Sequence, residues 1–195
     1  LTARMIGKGT KLLSAGAIED MVESMGADYS VDVLMDYTVF TIHVLDESLE
    51  RALFVLKSMV LEAQFTEREL GSLKRTAYNE LSDRKKNPEF LGWRQFLRAL
   101  FENHPYQTAT YAGDVIKFVS TKDVASFYDR FYRPDNAAIL VSGAIDGAAI
   151  RKRISFHFAT WLRRPVDRAV SAPPPANARD RVCYIEDPEV VDATV

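Results

Sequence analysis

The 195 residues include one cysteine, Cys183, so no internal disulfide framework can form, and compartment cannot be read from redox chemistry. No apolar run reaches the length of a membrane span. Neither sign of charge dominates: 25 Lys and Arg against 27 Asp and Glu leave a net charge of −2. That balance supplies no basic field for nucleic acid and no polybasic anchor. No Gly-x-Ser-x-Gly elbow is present, and Cys183 has no basic motif nearby to activate it. Gly7-Lys8-Gly9-Thr10 lacks the remaining spacing of a phosphate loop. The three histidines, His43, His104 and His157, include no pair at the i,i+4 spacing of a zinc motif.

What remains is ordinary for a soluble globular protein: 47% apolar and 27% charged residues, over a length that suits one domain with a substantial core plus a piece of another. Ser14 ahead of Ile18, Met21, Val22 and Met25 predicts a short amphipathic helix stopped by Gly26. Alternation over 29–33 and again over Thr38, Phe40, Ile42 and Val44 predicts an antiparallel strand pair. Asp46 caps a helix with Leu49, Leu53, Leu56 and Val60 on one face. Thr66-Glu67-Arg68-Glu69 opens a second helix running to about Lys86, with Asp83–Asn87 as its solvated end.

Further on, Phe90, Trp93, Phe96, Leu97, Leu100 and Phe101 form a stripe at helical spacing and read as core. Ser120-Thr121-Lys122-Asp123 starts another helix, with Val124, Phe127, Tyr128 and Phe131 inward. The apolar run from Asn136 to Val141, ended by Ser142-Gly143, reads as a buried central strand. A helix from Gly147 to Leu162 follows. The expected organisation is a domain over 1–163, a Pro/Ala-rich linker over 164–181 and, over 182–195, the first strand of a following domain.

The opening Leu1-Thr2-Ala3-Arg4-Met5-Ile6-Gly7-Lys8-Gly9-Thr10 is followed in order by Gly26-Ala27, Asn79-Glu80, His104-Pro105-Tyr106 and Arg133-Pro134-Asp135-Asn136. This series resembles the first domain of the insulinase/pitrilysin zinc metallopeptidases, the M16 family, from Leu1 to about Gly143. Active members open with His-Phe-Leu-Glu-His-Met-Met-Phe-Lys-Gly-Thr. Laid onto that motif, Lys8-Gly9-Thr10 matches, Ala3 stands at the general base, Arg4 at the second zinc-binding His, and the first His falls one position ahead of Leu1. The family's third ligand, a Glu on a neighbouring helix, corresponds to Glu80.

In such a helix, two neutral imidazoles at i and i+4 share one face and one zinc, and the Glu between them deprotonates the bound water. Arginine donates only and stays charged, and alanine accepts no proton. Leu1–Met5 reads equally as the buried end of a helix, and Glu80 as a surface carboxylate on a charged helix. The expectation is no catalytic residue, no metal ligand apart from the position of Glu80, and no zinc bound by this chain.

The resemblance implies an α+β fold, an M16-like α/β sandwich whose curved, mainly antiparallel sheet is covered by helices. It also implies a non-catalytic half that pairs with a zinc-bearing catalytic subunit, or with the second half of the same protein, to enclose a peptide substrate in the periplasm. Two other readings stay open: part of an active zinc endopeptidase whose motif lies elsewhere in a longer parent, or a scaffold subunit.

Overall fold

The computed structural model describes residues 1–101, 104–108, 113–166 and 173. Of the expected linker only residues 164–166 and 173 are among them, and Cys183 and the strand expected at 182–185 lie outside. The chain divides into two compact units, Leu1–Leu73 with Ser120–Asp167, and Lys74–Val119 with Arg168–Val195. The fold is α+β: helices predominate around a small antiparallel sheet.

In the first unit, α1 (Thr2–Ile6) leads through a loop to α2 (Ala15–Ser24), whose first turn is capped by the Ser14 hydroxyl accepting from the Ala17 N–H at 3.2 Å. Gly26, at φ +59°, ends that helix in the left-handed region that favours glycine. The hairpin follows as β1 (Asp28–Val33) and β2 (Thr38–His43), with Tyr29 opposite Ile42 and Val31 opposite Phe40. Asp46 starts a 3₁₀ turn, Asp46–Ser48, rather than capping the helix directly, and α3 runs Leu49–Leu61.

Ala52, Val55 and Met59 of α3 pack with Ile6, Ile18, Val22 and Met25 to make the core. Leu53 and Val60 are buried as well, and α3 also contacts α7 (Gly147–His157), so its buried surface is broader than one stripe. Glu50 of α3 holds Arg153 at 3.3 Å and His157 at 2.8 Å, both from α7. That helix ends at His157, short of Leu162, and Asp146 caps it by accepting from the N–H groups of Ala148 and Ala149. A full capping box between Ser120 and Asp123 opens α6 (Thr121–Phe131).

Two of the sequence motifs prove to be local hydrogen-bond devices. Gly9 takes φ +145°, its carbonyl accepts from the Gln64 N–H at 3.0 Å, and the buried Thr10 hydroxyl accepts from the N–H groups of Leu12 and Leu13. Lys8-Gly9-Thr10 therefore fastens the loop after α1 to the end of α3. Arg133-Pro134-Asp135-Asn136 closes α6: the Asn136 amide donates to the Phe131 carbonyl at 3.0 Å and the Arg133 Nε to the Asp129 carbonyl at 2.6 Å.

The second unit holds the later part of α4 (Glu67–Arg84), all of α5 (Pro88–Phe101) and 3₁₀ segments at Pro105–Thr108 and Gly113–Phe118. Helix α4 ends at Arg84, and Asn87 caps α5 by accepting from the Phe90 N–H. Two expectations are corrected. The aromatic stripe of α5 is not core: Leu97 is buried, but Trp93 and Phe96 stack on each other half-exposed. In the first unit, residues 137–142 pair with no strand among the described residues and are exposed throughout. Helical period marked the first and a continuous apolar run the second; what buries a face is the neighbour across from it.

Tyr128 of α6 joins that helix to α3, its hydroxyl donating to the Val60 carbonyl at 2.6 Å. Burial pushes its phenol up to about 12 from 10.0, with Arg133 acting in the opposite direction. Because the folded value lies above the unfolded one, this contribution to stability is complete below pH 10 and is lost as pH rises from there through about 12. Tyr128→Phe is expected to lower stability at pH 7 by about 1 kcal/mol in urea denaturation, and to flatten the decline between pH 10 and 12.

Candidate functional site

Helix α1 begins with the Met5 N–H donating to the Leu1 carbonyl at 3.0 Å and closes where the Lys8 N–H reaches the Met5 carbonyl at 2.9 Å. Ala3, Met5 and Ile6 are buried, and Arg4 is exposed. The methyl of Ala3 thus faces the interior of the first unit while the Arg4 guanidinium stands at the surface.

Beside Arg4 opens a cleft of ≈ 390 Å³. Ile18 and Val22 of α2, Tyr29 and Val31 of β1 and Leu73 make its apolar walls; Arg4, Lys8, Glu19 and Glu23 supply the charges at its rim. Lys8 pairs with Glu19 at 3.4 Å, an exposed contact whose strength falls with salt. Strand β1 borders this cleft, pairs with β2 on one side, and carries no ladder on its other edge among the described residues.

The wall of the cleft is tight at one point. A Cβ on Gly7 would stand 3.3 Å from the Met59 Cε and 3.5 Å from the Tyr29 hydroxyl. That hydroxyl is buried without a hydrogen-bond partner. Burial, reinforced by the neighbouring Tyr132, raises its pKa above the ordinary phenol range. Sequence reading gave no sign of Tyr29, because a hydroxyl on an alternating strand looks the same whether or not a partner awaits it.

The other residues singled out from the sequence lie apart from this cleft's lining. Glu80 is exposed on α4, in the second unit. His43 closes β2 and is exposed. His157 is taken up by Glu50. His104 is buried in its loop, where its Nδ1 accepts from the Tyr106 N–H at 3.2 Å, which leaves the proton of a neutral ring on Nε2. Among the described residues no three His, Cys, Asp or Glu side chains stand together as a metal site requires. On α1 and the turn after it, Arg4 and Lys8 are cationic donors and Ala3 has no ligating atom, and of the nearby carboxylates Glu19 is paired with Lys8.

A second hollow, of ≈ 450 Å³, lies in the second unit at the turn from α4 to α5, lined by Asp83, Arg84, Asn87, Glu89, Phe90 and Trp93. It is shallow and mixed in charge and contains no nucleophile with an adjacent base. No helix among the described residues is long and apolar enough to cross a membrane.

Tyr29→Phe removes a hydroxyl that is desolvated without compensation. It is expected to leave stability unchanged or raise it by about 1 kcal/mol, the opposite sign to Tyr128→Phe, read as a shift of the urea midpoint at pH 7.

Comparison with known proteins adds the following. Residues 1–114 match the family described as insulinase (peptidase family M16), and residues 119–193 match the peptidase M16 inactive domain. The zinc protease ML0855 of Mycobacterium leprae, itself uncharacterized, is 25% identical over 171 residues, 87% of this chain and 38% of that protein. The uncharacterized zinc protease YmxG of Bacillus subtilis is 26% identical over 156 residues, 75% of this chain and 36% of that protein. The crystal structure of a peptidase M16 inactive domain from Pseudomonas fluorescens superposes with a TM-score of 0.82 at 22% identity, over 89% of this chain and 43% of that one. The periplasmic protease PqqL from Escherichia coli gives 0.81 at 19%, over 90% of this chain and 20% of that one. The chain thus spans well under half the length of these relatives.

Proposed function

The chain belongs to peptidase family M16, the insulinase family, and from that premise we propose that this stretch is a non-catalytic family domain that helps hold an unfolded peptide for a zinc-bearing partner half. One observation carries the reading. The helix that opens the chain offers a buried Ala3 methyl and an exposed Arg4 guanidinium where water activation on zinc needs a carboxylate and an imidazole. Glu80, at the position of the family's distal ligand, would be one carboxylate where at least three ligands are required.

The holding role draws its support from shape. An apolar-walled cleft beside a strand with an open edge suits an extended peptide, whose main chain can add to β1 while a side chain enters between Ile18, Val22 and Val31. Such a site needs main-chain donors and acceptors and a partner that closes over it, and it needs no titrating group. The zinc would sit in a catalytic subunit or in another half of the same protein. Likeness to a periplasmic protease favours an exported setting.

The naming of several relatives as zinc proteases, together with the 38% of their length that this chain spans, favours one further reading at the level of a whole protein: an endopeptidase whose motif lies outside these residues. It leaves the role of Ala3 and Arg4 unchanged.

Protein purified without a metal-binding tag and dialysed against a mild chelator is expected to hold close to no zinc by elemental analysis, and to cleave no peptide alone. Added to a catalytic family half, it should raise that half's rate on an unfolded peptide. Stoichiometric zinc that disappears in Glu80→Gln would overturn the proposal.

A further inference from the structure

The near-neutral balance of the whole chain conceals one lopsided stretch. Between Gly147 and Arg164 stand Arg151, Lys152, Arg153, Arg163 and Arg164, and no Asp or Glu. Most of that stretch is α7, and its packing sorts the cations. Ile150 is buried, and Glu50 of α3 takes Arg153 at 3.3 Å and His157 at 2.8 Å. With one face pinned inward, the opposite face is held outward: Arg151 and Lys152 and, one turn on, Ser155 and Phe156, all exposed. Phe156 is 80% exposed, a bare ring one turn from the Lys152 ammonium. Past the helix, Leu162 is 65% exposed and directly precedes Arg163, which reaches Asp135 at 3.6 Å, and Arg164.

A helix face that only meets water usually sets a carboxylate one turn from each cation. One turn from Arg151 and Lys152 stand Gly147, Ala148, Ser155 and Phe156, so this helix offers neither cation a counter-charge there. The face therefore calls for anions from outside, and its ring for an apolar setting. Shape selects the source. An acidic polypeptide that lodged α7 in a groove would need apolar anchors one and two turns apart, and the outward face carries a single large apolar side chain, Phe156. A planar array of phosphates over acyl chains needs only a protruding face with cations beside one ring.

We infer that the outward face of α7 docks on an anionic phospholipid surface. Arg151 and Lys152 meet the headgroup phosphates, and Phe156 enters the boundary between headgroups and acyl chains. Leu162, Arg163 and Arg164 extend the same chemistry along the chain. Two cations and one ring make this a peripheral, reversible and salt-sensitive contact. It stands independently of the proposed peptide cleft, because none of these residues lines it.

The test sediments the intact protein with vesicles of phosphatidylcholine alone and of phosphatidylcholine mixed with phosphatidylglycerol. Binding is expected only with phosphatidylglycerol present, and it should weaken as salt rises from about 50 to about 500 mM. Arg151→Gln combined with Lys152→Gln should lower the partition coefficient at least about tenfold. Phe156→Ser should lower it about fivefold while keeping the dependence on salt. No binding, equal binding to neutral vesicles, or unchanged binding of the double variant overturns the inference. So does an oligomer that the double variant dissolves, which makes the face a contact between copies, or retention on polyglutamate without binding to vesicles. Should a charge variant fail to fold, Phe156→Trp decides: brominated acyl chains must quench its emission beyond that of the native protein, and equal quenching sinks the proposal.

Discussion

At one point in the first unit three groups meet: the bare Cα of Gly7, the terminal methyl of Met59 and the hydroxyl of Tyr29. They belong to the end of α1, the last turn of the core helix α3 and the strand that borders the cleft. A Cβ at residue 7 would need the Met59 methyl to give by a few tenths of an ångström, and Met59 is almost wholly buried. The close approach of α1 to α3 and β1 therefore rests on a missing Cβ, and the Lys8-Gly9-Thr10 turn locks it by tying the next residues to Glu62 and Gln64 through main-chain bonds of 3.0 Å. Position and opening of the cleft follow from that contact.

The same geometry sets what residues 3 and 4 cost the fold. Residue 3 points into the interior, and a carboxylate there would be desolvated unless a metal-bound water or a cation met it. Alanine removes that cost and is the best helix former. Residue 4 points outward, so an arginine can replace an imidazole without burying its charge. With alanine inward and arginine outward, α1 needs no further group to satisfy either position. The cleft survives because its walls are apolar residues of α2 and β1, not ligands.

How far the sequence could be read depended on the range of each interaction. Helix starts at Ser14, Ser120 and Asp146 and the stop at Gly26 are decided within four residues, and they were legible. The hairpin was too, because alternation on both strands leaves one register that buries Phe40 and Ile42 toward the core. The exposed Trp93 and Phe96 and the bare strand at 137–142 were not, since an apolar face states a need for cover and nothing about what supplies it. At the site, the spacing to Lys8-Gly9-Thr10 singled out Ala3 and Arg4, and of the two Arg4 borders the cleft. The unpaired hydroxyl of Tyr29 was not, because its isolation depends on Gly7 and Met59, each more than twenty residues away in the chain.

These observations bear on one another. Where the sequence asks for a central strand, residues 137–142 pair with no strand among the described residues. The local devices around it are complete: α6 is capped, Arg133 and Asn136 bind the carbonyls at its end, and Asp146 caps the next helix. Misfolding or a misread element would leave such devices broken as well. A chain whose helix caps and turns are formed on both sides of an uncovered apolar segment keeps, among its described residues, the local order of the family's fold.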